Sequence, residues 1–224
     1  MARQLSFDLP AKEALGRDDF FVSPANHMAV AMIETDWPGQ RLVLTGPAGS
    51  GKTHLAHVWS AASGAPILSA RDLATADLPA LASGPVVVED VPKIADDDAA
   101  LQALFHLYNL AGAANQPLMM TGRGAPRHWN LALPDIQSRI DAACHVALEA
   151  PDDTLLAAVL AKLFADRQIT PKPEVIPYLV RHMERSFEAA AEVVRKLDKA
   201  SLEQGRTLSR ALAARLIGDI PDVS

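Results

Sequence analysis

Gly46-Pro47-Ala48-Gly49-Ser50-Gly51-Lys52-Thr53 matches the pattern G-x-x-x-x-G-K-[ST] at every fixed position. Glycines let the backbone wrap a polyphosphate with its N–H groups turned inward. A helix starting at Lys52 would add the positive end of its dipole. Lys52 has the reach to touch β- and γ-phosphates, and the Thr53 hydroxyl is a ligand type for Mg2+. The pattern carries weight only between a strand and a helix. Both are predicted, since Arg41-Leu42-Val43-Leu44-Thr45 is a short apolar run before the loop and helical spacing continues to about Ala62 behind it.

Outward from the loop, strands and helices alternate. Ala65 to Ser69 predicts a second strand. Pro85-Val86-Val87-Val88 predicts a third, buried on both faces because no polar residue interrupts it. A long helix is expected over Asp98 to Ala113, a fourth strand over Leu118 to Thr121, a helix over Pro134 to Ala142 and a fifth strand over His145 to Leu148. Upstream, Ser23-Pro24 reads as a helix start with Ser as the cap, and Pro38-Gly39 as its stop. This alternation predicts an α/β core with a mostly parallel five-stranded sheet flanked by helices. After Pro151 only helical patterns follow, over about 152–167, 173–183, 186–204 and 208–217.

The strand at 86–88 ends on Glu89 and Asp90. A phosphate loop needs a carboxylate on a neighbouring strand to hold Mg2+, so Thr53, Glu89 and Asp90 are the candidate magnesium residues. The longer Glu89 precedes the shorter Asp90, which predicts intact binding with slow intrinsic hydrolysis.

The chain has 224 residues and a formal net charge of −6. An acidic balance argues against a dedicated nucleic-acid binder. The cations of the helical segment after Pro151, such as Arg181, Arg195 and Lys199, are interspersed with acids and read as a solvated, partner-facing surface. Cys144 is the only cysteine and sits in an apolar run, so it is expected to be packed rather than reactive. No apolar stretch has the length of a signal peptide or membrane span, so a cytoplasmic location is expected. His54 and His57 lack a third ligand for a metal, and Trp37, Trp59 and Trp129 read as isolated core or rim residues.

Several segments carry a family resemblance. Phe20-Phe21-Val22-Ser23-Pro24-Ala25-Asn26 resembles the adenine-side segment of the bacterial replication initiator DnaA. Met120-Thr121-Gly122-Arg123-Gly124-Ala125-Pro126-Arg127 resembles the sensor 1 region of the DnaA/Hda family, although that family usually has Asp-Arg where this chain has Arg123-Gly124. Leu131 to Ile140 is similar to the family's Asn-Leu-x-Leu-Pro-Asp-Leu-x-Ser-Arg-Leu stretch, and Leu107-Tyr108-Asn109 and Leu197-Asp198-Lys199-Ala200-Ser201 are also similar. The resemblance implies an AAA+ core over residues 18–150 and a small all-helical lid over 151–224. It implies ATP or ADP as ligand, touched by Phe21, Val22, Asn26, the loop from Gly46 to Thr53, and His54. Thr121 would be sensor 1, beside the γ-phosphate. Arg139 would be the arginine finger, acting on nucleotide held by a neighbouring subunit. An ungapped alignment puts Glu188 at the usual sensor 2 arginine, with Arg185 one turn earlier; either Arg185 substitutes or that contact is absent.

Gln4-Leu5-Ser6-Phe7-Asp8-Leu9, within a polar tail at 1–17, resembles the peptide by which replication proteins bind the sliding clamp. Leu5, Phe7 and Leu9 would fill apolar pockets while Gln4 supplies amide hydrogen bonds. The resemblance thus implies a regulator of replication initiation that meets DnaA and the clamp, and DNA only through the clamp. It leaves homo-oligomerisation open. The alternative from another class is a DnaC-like helicase loader or autonomous AAA+ ATPase acting at single-stranded DNA.

Overall fold

The computed structural model describes residues 21–204 and 208–218, so the segment 4–9 lies outside the described residues. The strands are β1 (Arg41–Thr45), β2 (Ile67–Ser69), β3 (Val86–Glu89), β4 (Leu118–Gly122) and β5 (Cys144–Ala147). They form one parallel sheet in the order β2-β3-β4-β1-β5. β1 and β4 lie side by side with Leu44 opposite Thr121 and Thr45 opposite Gly122, which brings both strand ends to the same edge.

The pleat divides the strand residues between two apolar layers. Val43, Val86, Val88, Leu118 and Met120 face one cluster with the inner side of α4 (Asp98–Ala113) and α5 (Pro134–Ala142). Leu42, Leu44, Val87 and Met119 face the other, with α1 (His27–Ile33) and α2 (Lys52–Ser63). Helices therefore cover both sheet faces. Val86, Val87 and Val88 are fully buried, as an uninterrupted apolar run predicts.

A third cluster is separate and all-helical. Leu156, Leu160, Phe164, Leu179, Val194 and Leu197 pack among α6 (Asp153–Asp166), α7 (Val175–His182), α8 (Phe187–Gln204) and α9 (Arg210–Gly218). Side chains fix helix starts here: the Asp152 carboxylate accepts from Leu155 N–H at 2.7 Å and the Ser186 hydroxyl from Ala189 N–H at 3.0 Å.

Three features differ from expectation. α1 begins at His27 rather than at Pro24, because the Ser23 carbonyl accepts from both Asn26 and His27 N–H and closes a turn first. Trp37 and Trp59 are not isolated: their rings meet with centroids 4.9 Å apart, and the Trp37 indole N–H donates to Met32 O at 2.8 Å. Buried Arg41 was unforeseen; it donates to Gln116 O at 2.9 Å and Tyr108 O at 2.8 Å, tying the start of β1 to α4.

Candidate functional site

β1 delivers the chain into the 46–53 loop at the carboxyl edge of the sheet. Gly51 sits at φ +94° immediately before α2, a left-handed conformation that disfavours a side chain. The loop's other neighbour is the helical domain. The Phe187 N–H donates to Gly49 O at 2.8 Å, and a Cβ on Gly51 would meet the Phe187 ring at 2.9 Å. A Cβ on Gly49 would overlap Ser186. The start of α8 is thus docked on the loop, with Ser186 buried at the contact. Neither residue was singled out from the sequence, whose pattern marked Arg185 and Glu188. Arg185 instead pairs with Asp153 at the first turn of α6, at 2.5 Å and with both side chains exposed.

Lys52 is buried, and its ammonium donates to Gly46 O at 2.9 Å and Pro47 O at 2.6 Å. Burial is the main cause that lowers its pKa. The Arg123 charge lowers it further, while Asp90 and Glu89 oppose the shift. These four charges therefore share one field. Around them the polar lining is incompletely paired: the Ser50 hydroxyl and Glu89 Oε1 are buried without a hydrogen-bond partner among the described residues. Pro47 and Thr53 are exposed, while Ala48 and His54 are half-buried.

The two carboxylates behave differently. Glu89 ends β3 with its free Oε1 buried. Asp90 takes a left-handed conformation, φ +60° and ψ +43°, which Asp tolerates better than most residues. Its N–H donates to the Thr121 hydroxyl at 3.1 Å, while its carboxylate pairs with Lys93 at 2.6 Å on the exposed side. Thr121, 1% exposed, thereby joins the ends of β3 and β4.

Beyond Thr121 the chain turns under Trp129. The indole N–H donates to Arg123 O at 2.9 Å and Gly124 O at 3.2 Å. A Cβ on Gly122 would overlap that ring and lie 2.7 Å from Pro92. Phe21 and Val22 are exposed, at 40% and 52%. Buried Asn26 holds their segment, accepting from Ser23 N–H and donating to Phe21 O, both at 2.8 Å. Glu149 N–H donates to Ala25 O at 3.1 Å, anchoring this segment beyond β5.

Arg139 stands apart. Its guanidinium donates to Asn109 Oδ1 at 2.6 Å and stacks over Phe105 and Tyr108, 4.8 and 5.5 Å from their centroids. All these partners are on α4. The structure thus groups Lys52, Glu89, Asp90 and Thr121 at one edge and holds Arg139 on the α4–α5 face.

The residues fit a polyphosphate and a divalent cation. The glycine loop, the buried ammonium, the unpaired Ser50 hydroxyl and the unpaired Glu89 oxygen supply donors for phosphate and an acceptor for Mg2+. No group of three or more His, Cys, Asp or Glu suited to a metal occurs among the described residues, and no described helix is long and apolar enough to cross a membrane.

Residues 153–212 match the family model described as Hda, lid domain. The fold matches domain III of the replication initiation protein DnaA from Thermotoga maritima with a TM-score of 0.79 at 16% identity, covering 96% of this chain and 100% of that one. The helical domain is thus similar to the lid of Hda, and the chain has the fold of DnaA domain III. AMPPCP-bound DnaA from Aquifex aeolicus matches with a TM-score of 0.73 at 16% identity, over 89% of this chain and 68% of that one. A structure concerning katanin self-assembly matches at 0.71 and 14% identity, over 93% and 86%. At such identities these likenesses show the fold alone, and the family match concerns the helical domain at 153–212.

Proposed function

We propose that this AAA+ protein is an Hda-like regulator of replication initiation, which binds adenine nucleotide and the DNA-loaded sliding clamp and promotes ATP hydrolysis by DnaA. The observation that carries this reading is the Hda-type lid at 153–212 seated directly on the phosphate loop through Phe187 and Gly49. The nucleotide's phosphates lie against Gly46 to Thr53, with its base toward Phe21, Val22 and Asn26. Thr53, Glu89 and Asp90 hold Mg2+, which supplies charge neutralisation at the phosphates. Thr121 orients the end of β3 through its hydroxyl. Arg139 is presented by α5 to nucleotide bound in a neighbouring DnaA subunit, where an always-charged planar donor set stabilises phosphoryl charge. Its fixed stacking on Phe105 and Tyr108 lessens the rotamer entropy lost on docking.

The deciding measurement is ATP hydrolysis by DnaA, with and without this protein and DNA-loaded clamp. Stimulation by the wild type and its near-complete loss in Arg139→Ala, with retained folding, is the expected result. Normal stimulation by that variant would rule out the finger role. In the same assay Gln4→Ala/Leu5→Ala should lose stimulation and clamp pull-down together. Capture of a replicative helicase in place of clamp would favour the loader reading instead.

A further inference from the structure

Several cations of the helical domain are matched by a nearby acid. Lys162 pairs with Asp166 at 3.0 Å, Arg167 with Asp198 at 3.9 Å and Arg195 with Glu192 at 2.7 Å. Lys172, Arg181 and Arg210 are exposed and have no ion pair among the described residues. The fold gathers these three around the junction of α7 and α9. Arg181 and His182 lie three and four residues beyond Tyr178 on α7, so they share a side of that helix with it. The guanidinium of Arg210, the first residue of α9, lies over the Tyr178 ring, 5.2 Å from its centroid. The His182 ring stacks on the same Tyr178, with centroids 4.2 Å apart. Lys172 N–H donates to Leu208 O at 3.2 Å, which draws the loop before α7 against the residues that lead into Arg210.

Cations held this way repel one another. Glu174, one turn before Tyr178, is the acid on that side of α7 and offsets one charge. The whole chain carries −6, so the junction is a local exception to its balance. A polyanion laid across it replaces repulsion by attraction. The Tyr178 ring already carries an imidazole and a guanidinium, so its stacking surface is used within the chain and not offered to an unstacked base. The exposed large hydrophobic residues among those described, Phe21, Val22 and Met28, all lie outside the helical domain. This face therefore lacks the apolar anchors on which protein interfaces depend. Charge without anchors is the chemistry that meets a phosphodiester backbone regardless of sequence.

We propose that the α7–α9 face binds the sugar-phosphate backbone of duplex DNA through Lys172, Arg181 and Arg210, without reading sequence. Its use in the cell rests on the reading above, which puts the protein at a DNA-loaded clamp with duplex close by. Arg210, already held over Tyr178, loses little side-chain freedom on binding.

Fluorescence anisotropy of a labelled duplex of arbitrary sequence, titrated with the full chain at several salt concentrations, tests this. Three phosphate contacts predict a slope of log affinity on log salt near −2.7, at about −0.9 per contact. Arg181→Ala/Arg210→Ala should bring that slope to about −0.9 and weaken low-salt binding by roughly tenfold or more. Arg181→Ala alone, at an exposed position, should lower the slope by about 0.9 without changing thermal melting. Arg195→Ala removes a cation that is already paired and should bind as wild type does. No duplex binding by wild type at low salt, a slope unchanged by the double substitution, or an equal loss in Arg195→Ala would overturn the proposal. Tighter binding of a single strand, or equal binding of poly-glutamate, would overturn it as well, in favour of a different anion. The assay contains neither DnaA nor clamp, so its failure leaves the regulator reading standing, and failure of DnaA stimulation leaves this contact standing.

Discussion

Thr121 shows how one hydroxyl can organise a site. It is buried on β4 and accepts the N–H of Asp90, a residue held in left-handed conformation at the end of β3. Thr121→Val keeps the shape but leaves that N–H without its acceptor, which should destabilise the fold by about 1–3 kcal/mol in urea denaturation. A loss below about 0.5 kcal/mol would mean that water replaces the hydroxyl. Thr121 was marked in the sequence by family resemblance alone; no local pattern announces a hydrogen bond between positions 90 and 121. Lys52 was legible because its spacing from the glycines is fixed by phosphate chemistry. Ser186 and Phe187 were not, since their contact with the loop arises only when two distant elements pack. Arg185 carried the sequence signal there, yet its guanidinium found a nearer carboxylate in Asp153.

Among the elements, the central strands were the most readable. Buried on both faces, Val86 to Val88 and Leu42 to Leu44 need apolar side chains at every position. The four-residue α3 (Leu78–Leu81) and the 3-10 turn at Ala70–Thr75 went unread, because neither is long enough to show periodicity. β5 is an edge strand that alternates exposed and packed positions, and its His145 Nε2 lies 2.7 Å from the Thr45 hydroxyl. Although the residue as a whole is exposed, burial of part of its ring lowers the His145 pKa below the usual 6.5. The unfolded chain then binds a proton more readily than the folded one. This contribution to stability is fully present above pH 6.5 and is lost as pH falls through the folded pKa. Thermal melts from pH 7.5 down to 5.5 should therefore fall less steeply for His145→Gln than for wild type. Parallel curves would show that His145 titrates alike in both states.

At the scale of the molecule, the sheet and the helical lid have separate apolar clusters, yet the lid touches the phosphate loop through a main-chain hydrogen bond. A backbone donor is invisible to any side-chain exchange except one. Phe187 is the first residue of α8, where proline's fixed φ suits the helix and its missing N–H deprives the helix of nothing. Phe187→Pro thus removes this hydrogen bond along with the ring packed against Gly51 while sparing the helix it starts, and Phe187→Ala, which loses the ring but keeps the N–H, serves as its companion. In hydrogen exchange, the proline variant alone should show the first amides of α2 opening faster, with the interior of α8 unchanged. A lid joined to the loop by a backbone hydrogen bond as well as by side-chain packing keeps one point of attachment that does not depend on side-chain identity, and that part of the coupling survives divergence of the lid sequence.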